Sequence, residues 1–127
     1  MEKNEAKNMS TLILAYLGDS VYELLVRERL IESGFVKNNT ANKKALEYVT
    51  ARMQSEAVER ILPYFDEDEE DIFRRGKNAN IKSFPRNVSP LEYKKATGLE
   101  AVFAYNHLIG CDERNRELFN IAFPVEN

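Results

Sequence analysis

Two short stretches set a carboxylate inside an apolar helical pattern, just behind a glycine. One is Leu14-Ala15-Tyr16-Leu17-Gly18-Asp19-Ser20-Val21-Tyr22-Glu23-Leu24, and the other is Thr97-Gly98-Leu99-Glu100-Ala101-Val102-Phe103. In a helix, Leu14, Leu17, Val21, Leu24 and Leu25 recur on one face, while Asp19 and Glu23 project together four residues apart. Glycine costs about 1 kcal/mol relative to alanine in a helix interior, so close packing or function must offset Gly18. An aspartate on an amphipathic helix is ordinarily just solvated. A second acid in the same kind of setting, with no base beside either, calls for a divalent cation. Hard oxygen ligands such as Asp19 and Glu100 suit Mg²⁺ or Mn²⁺, which keep most of their waters. Making such a water more acidic, and stabilising charge that develops at phosphorus, hydrolyses a phosphodiester.

Positive charge is the second ingredient. The chain carries a net −3, yet residues 72–97 hold Arg74, Arg75, Lys77, Lys82, Arg86, Lys94 and Lys95 against Glu92 alone. That segment is +6 and the remainder −9. A concentrated basic stretch binds a polyanion locally whatever the overall pI. Arg74, Arg75, Lys77, Asn78, Lys82 and Arg86 lie in or beside an amide- and proline-containing loop, and all can donate to phosphate oxygens. The bland alternative is a solvated loop. Other chemistries lack their residues. His107, the only histidine, offers no convincing base for a serine or cysteine triad. Cys111, the only cysteine, has no zinc-ligand spacing around it. No phosphate-cradling glycine loop of the nucleotide-binding type is present.

The elements that must position these residues read as all-α, without an alternating strand pattern. Residues 1–8 read as a polar tail. Ser10 or Thr11 opens a helix that stops at Gly34, and Thr40 opens another running through Ala57 to Leu62 before Pro63. Residues 66–71 are six acids in a row. Consecutive helical residues point in different directions, so these acids suit the start of a helix rather than one shared ion. Gly76 reads as the end of that helix. Ser89, Pro90 and Glu92 make a capping-box start for the long helix that carries Glu100, closed by Gly110. Asp112 caps a last short helix. His107 reads as a surface or partly buried residue and Cys111 as a small packing residue.

At 127 residues the chain fits one domain with its own core. Its 43% hydrophobic and 31% charged content is ordinary for a globular protein. A lone cysteine suggests a reducing compartment, the first residues lack a signal-peptide plan, and no apolar run is long enough to span a bilayer. A cytoplasmic protein without membrane association is the expectation.

At this point the motifs suggest a family. Leu14-Ala15-Tyr16-Leu17-Gly18-Asp19-Ser20-Val21 resembles the signature helix of ribonuclease III, and Gly98-Leu99-Glu100-Ala101 resembles its second acidic helix. With the loop Arg74-Arg75-Gly76-Lys77-Asn78-Ala79 and no double-stranded-RNA-binding domain, residues 10–120 look like Mini-III, the relative that is a catalytic domain alone. The resemblance implies an all-helical homodimer that holds double-stranded RNA in a valley formed by both subunits. It implies Mg²⁺-dependent hydrolysis (Mn²⁺ as the alternative) leaving 5′-phosphate and 3′-hydroxyl ends, in the maturation of large-subunit ribosomal RNA precursor. A ribosomal protein that presents the substrate is an open partner. Asp19 and Glu100 carry over as the catalytic metal ligands. Arg74, Arg75, Lys77, Lys82 and Arg86 are expected on the RNA backbone, with Asn78 adding local preference.

The chain departs from the full ribonuclease III pattern at Ala15 and Thr97, where that pattern has acids. Glu23 either compensates from one turn along or pairs with Arg27. Two competing readings stay open. One is a catalytically silent ribonuclease III-like binder of structured RNA. The other is a helical protein-interaction module, which leaves the basic segment beside Glu100 unexplained.

Overall fold

A helix that is apolar on every side ends up inside a protein. The stretch from Ala96 to Asn106, within a longer helix from Pro90 to Leu108, comes close to this pattern. In the computed structural model, which describes residues 1–35 and 37–125, every residue from 96 to 106 is buried except Glu100. Around it the chain forms α1 (Lys3–Lys7), α2 (Thr11–Glu32), α3 (Asn38–Val49), α4 (Ala51–Ile61), α5 (Glu67–Lys77), α6 (Pro90–Leu108) and α7 (Asp112–Ala122). No strand occurs among the described residues. The fold is the expected all-α one.

Helix α6 is the axis, with α2, α4, α5 and α7 packed about it. The core joins Leu14, Tyr22 and Val26 of α2 to Val58 and Ile61 of α4, Ile72 and Phe73 of α5, and Leu118 of α7. Each such side chain contributes roughly 1.5–3 kcal/mol by leaving water. Tyr22 stands edge-on to Phe103 and Phe119, with centroids 5.7 and 5.8 Å away. Its hydroxyl donates to the Tyr48 carbonyl at 2.6 Å, which brings α3 onto the core.

Several sequence expectations change. The first residues are not a loose tail: Ala6 of α1 is fully buried, Lys7 pairs with Asp68 at 2.8 Å, and the Met1 ammonium donates to the Leu108 carbonyl at 2.9 Å. One apolar residue in five gives no periodic signal, so only its tertiary contacts reveal this helix. The helix expected from Thr40 is two. Thr40 lies inside α3, and the chain breaks at Thr50, whose hydroxyl accepts the Met53 N–H at 3.2 Å and caps α4. Gly76 does not end α5 but lies within its last turn against α6, where a β-carbon would sit 3.0 Å from the Gly98 Cα. Asp112 is the first residue of α7 rather than its cap, and Cys111 is exposed rather than packed. The predicted stops at Gly34 and Gly110 hold, each in left-handed backbone.

The acidic run starts α5, as its charge suggests. Asp66 and Glu69 form a reciprocal capping box at 2.8 and 2.9 Å. Glu69 then turns wholly inward and accepts from the Arg114 guanidinium at 2.8 and 3.0 Å and from Asn106 at 2.8 Å. Its neighbours face outward, Asp68 to Lys7 and Asp71 to Arg74 and Arg75.

Burial alone would raise the Glu69 pKa, but Arg114, the Asp66 N–H and Asn106 together hold it below its ordinary 4.5. Stability from this carboxylate is therefore present above that ordinary value and lost as pH falls through the lower folded one. Glu69→Gln, which leaves Arg114 without its buried counter-charge, should cost about 3–5 kcal/mol. It should also flatten the acid-side loss of stability. Denaturation curves for both proteins between pH 3 and 7 check this.

Candidate active site

Asp19 and Glu100 are brought together by one helix crossing. A β-carbon on Gly18 would lie 1.8 Å from the Glu100 carbonyl oxygen and 2.9 Å from its Cα. The backbone of α2 thus rests directly on that of α6, and the residue after the contact on one helix is Asp19. Gly98 does the same two residues earlier on another side of α6, where a β-carbon would stand 2.7 Å from the Phe73 carbonyl oxygen. These approaches explain why glycines appear inside apolar helices, the cost that the sequence left open.

Glu100 is half-buried and Asp19 exposed. Burial, then the hydrogen bond and charge of Asp19, push the Glu100 pKa up to about 8, with the Gln54 amide opposing the rise. Two carboxyls in hydrogen-bonding reach share a proton readily and a cation more readily still. They open on a pocket of about 740 Å³ whose wall includes Ala15, Thr97, Gln54 and Lys82. Ala15 and Thr97, the positions that carry acids in the full ribonuclease III pattern, therefore face the pair as neutral wall. Thr97 is satisfied within its own helix, donating to the Tyr93 carbonyl at 2.9 Å.

Glu23 does not reach this pocket. It pairs with Arg27 at 2.8 Å and lines a different groove, between α2 and α3. The sequence reading also missed Gln54. It belongs to the buried stripe of α4 with Ala57, Val58 and Ile61, and an amide at a core-facing position was the available signal. Its Oε1 is buried without a hydrogen-bond partner. Two converging carboxylates and an orphaned amide oxygen form a hard-donor set that fits Mg²⁺ or Mn²⁺, cations satisfied by few protein oxygens plus water. Among the described residues no three or more His, Cys, Asp or Glu side chains group to hold a metal.

The basic residues divide. Lys82 lies on the pocket wall, and Asn80 and Ser83 of the same loop join it. Arg74, Arg75, Lys77, Asn78 and Arg86 lie outside the pocket. Arg74 pairs with Asp71 at 2.8 Å at an exposed site. Arg75 is held more firmly, by Asp71 at 3.0 Å and by the Lys7 carbonyl at 2.9 Å, and so fastens α5 to α1. Lys82 and Arg86 make no ion pair among the described residues.

The family model for the ribonuclease III domain matches residues 12–110. The chain belongs to the ribonuclease III family. Within that family it is similar to the Mini-ribonuclease 3 of Symbiobacterium thermophilum, 43% identical over 87% of this chain and 85% of that protein. It is also similar to a Mini-ribonuclease 3-like protein of Ilyobacter polytropus, 48% identical over 84% of this chain and 83% of that one. A crystal structure of a Fusobacterium nucleatum protein superimposes with a TM-score of 0.83 at 36% identity, covering 93% of this chain and 96% of the other.

In this ribonuclease III domain the crossing at Gly18 sets the separation of the acids. Gly18→Ala should force α2 away from α6, since the clash is with backbone that cannot rotate aside. Overpacking of this kind costs typically 1–3 kcal/mol or more. The variant should remain helical, melt at lower temperature and bind Mn²⁺ more weakly than wild type, as read by circular dichroism and titration calorimetry.

Proposed function

We propose that this ribonuclease III domain is a divalent-metal-dependent endoribonuclease that cleaves double-stranded RNA, with large-subunit ribosomal RNA precursor as its substrate in the cytoplasm. The observation that carries the reading is the pairing of Asp19 with Glu100 across a glycine crossing, in a pocket edged by Lys82. The similarity to Mini-ribonuclease 3 proteins supports it. No helix among the described residues is long and apolar enough to cross a membrane.

A divalent cation held by the two carboxylates supplies positive charge for the phosphate in the transition state and lowers the pKa of the attacking water. Glu100 must give up its proton for that cation. Because its pKa stands near 8, cation affinity should rise with pH toward that value. Water attacks phosphorus as the bond to the 3′ oxygen breaks, leaving a 5′-phosphate and a 3′-hydroxyl. Lys82, Arg86, Lys77, Arg74 and Asn78 hold phosphates and 2′-hydroxyls of the A-form duplex, a recognition mostly of shape. Arg75, engaged between α5 and α1, contributes less.

Cleavage of a long RNA duplex with Mg²⁺ tests this. Asp19→Asn and Glu100→Gln should each reduce the rate at least a hundredfold while duplex binding survives. Replacing Lys82 and Arg86 with alanine should weaken binding and lower its salt slope by about 2. Wild type that binds duplex but cuts with neither Mg²⁺ nor Mn²⁺ would make the domain a silent RNA binder, a reading that neutral Ala15 and Thr97 favour.

We further propose a homodimer through α2. Ile13, Leu24 and Ile31 lie along one face of it, Tyr16 beside them, and all four are exposed, Tyr16 by 81% and Ile31 by 70%. Exposed apolar side chains gathered on one helix face in this way suit a partner surface. Sedimentation at twice the chain mass is the expected result, and a monomer at micromolar concentration would refute it.

A further inference from the structure

Gln54 holds a place that a leucine would suit. It is 4% exposed and its spacing with Ala57, Val58 and Ile61 is that of a core-facing stripe. Yet its amide reaches the pocket wall beside Asp19 and Glu100. The Nε2 donates to the Val49 carbonyl at the end of α3, 3.1 Å away. Since the Val49 carbonyl can only accept, the nitrogen must face it, which settles the orientation of the amide.

The Oε1 is then an acceptor with no donor. A buried lone pair left unmatched weakens a fold, and a ligand entering the pocket that Gln54 lines can supply the missing donor. The other such atom, Asn115 Oδ1, belongs to a side chain that donates to the Phe103 carbonyl between α6 and α7 and does not line this pocket. Among the described residues, only Gln54 combines an orphaned oxygen with the carboxylate pair. Waters on a divalent cation are strong hydrogen-bond donors, and groups that bind them orient both cation and ligands. A neutral amide suits this task better than a third acid, which would make Glu100 harder still to ionise.

We infer that Gln54 is a positioning residue of the metal site, its Nε2 anchored on the Val49 carbonyl and its Oε1 accepting a hydrogen bond from a water carried by the cation on Asp19 and Glu100. The inference rests on the metal-dependent reading of that pair.

The test is Mn²⁺ binding without RNA, followed by electron paramagnetic resonance, for wild type, Asp19→Asn and Gln54→Met. It is joined by a Mg²⁺ titration of ¹⁵N-labelled wild type that follows the assigned Gln54 side-chain amide. Asp19→Asn should abolish tight Mn²⁺ binding. Gln54→Met should weaken it about tenfold while its metal-free melting temperature stays close to wild type. In the wild type the Gln54 amide should shift along the same saturation curve as the Asp19 backbone amide. Unchanged Mn²⁺ affinity in a folded Gln54→Met, or a Gln54 signal that stays still while Asp19 moves, would overturn the inference. The wild-type titration decides the question even where the variant fails to fold. Wild type that binds no Mn²⁺ at all would instead bring down the metal-dependent reading, and Gln54's role with it.

Discussion

The contact on which the rest depends is backbone against backbone. Helix α2 lies on α6 so closely at Gly18 that a single β-carbon would overlap the Glu100 carbonyl. Two helices that meet through side chains keep their axes some 8–10 Å apart. Removing the side chain at the contact lets them approach further and fixes where each lies along the other. Asp19 and Glu100 owe their proximity to that register, and so does the pocket they open on.

Holding an acid at this point works against the fold. Glu100 interrupts a run of α6 that is otherwise wholly buried, and its charge is costly enough for the carboxyl to keep its proton near neutral pH. Gln54 adds an unmatched oxygen next to it. Local costs of this kind collect at functional sites, and structure elsewhere must offset them. Here the offset comes from the Tyr22, Phe103 and Phe119 cluster on one side of α6. On another side it comes from the Glu69–Arg114 pair, which ties α5 to α7 with its hydrogen bonds satisfied.

The charges of the chain do two kinds of work, and composition does not separate them. Arg75 and Arg114 are structural fasteners, each bonded both to a carboxylate and to a backbone carbonyl. Lys95 is taken up by Glu59 at 2.6 Å. Lys82 and Arg86, in the loop between α5 and α6, have no such engagement among the described residues. The basic segment thus becomes a much smaller set of cations available to a polyanion.

The sequence by itself determined the helical class, the long α2 and α6, the acidic start of α5 and the pairing of Asp19 with Glu100, the last through motif resemblance. These follow from period, capping residues and turn glycines, all of which act over a few residues. It did not yield α1, the break at Thr50, the placement of Gly76 inside a helix, or the inward turn of Glu69. The break at Thr50 rests on a local cap of the Met53 N–H, but the other three are decided by a neighbour distant in sequence: Leu108 and Asp68 for α1, Gly98 for Gly76, Arg114 for Glu69. Gln54 belongs with them. Its amide reads as an ordinary polar residue until α4 is laid against α6, because only the crossing of helices turns a helical position into the wall of a pocket.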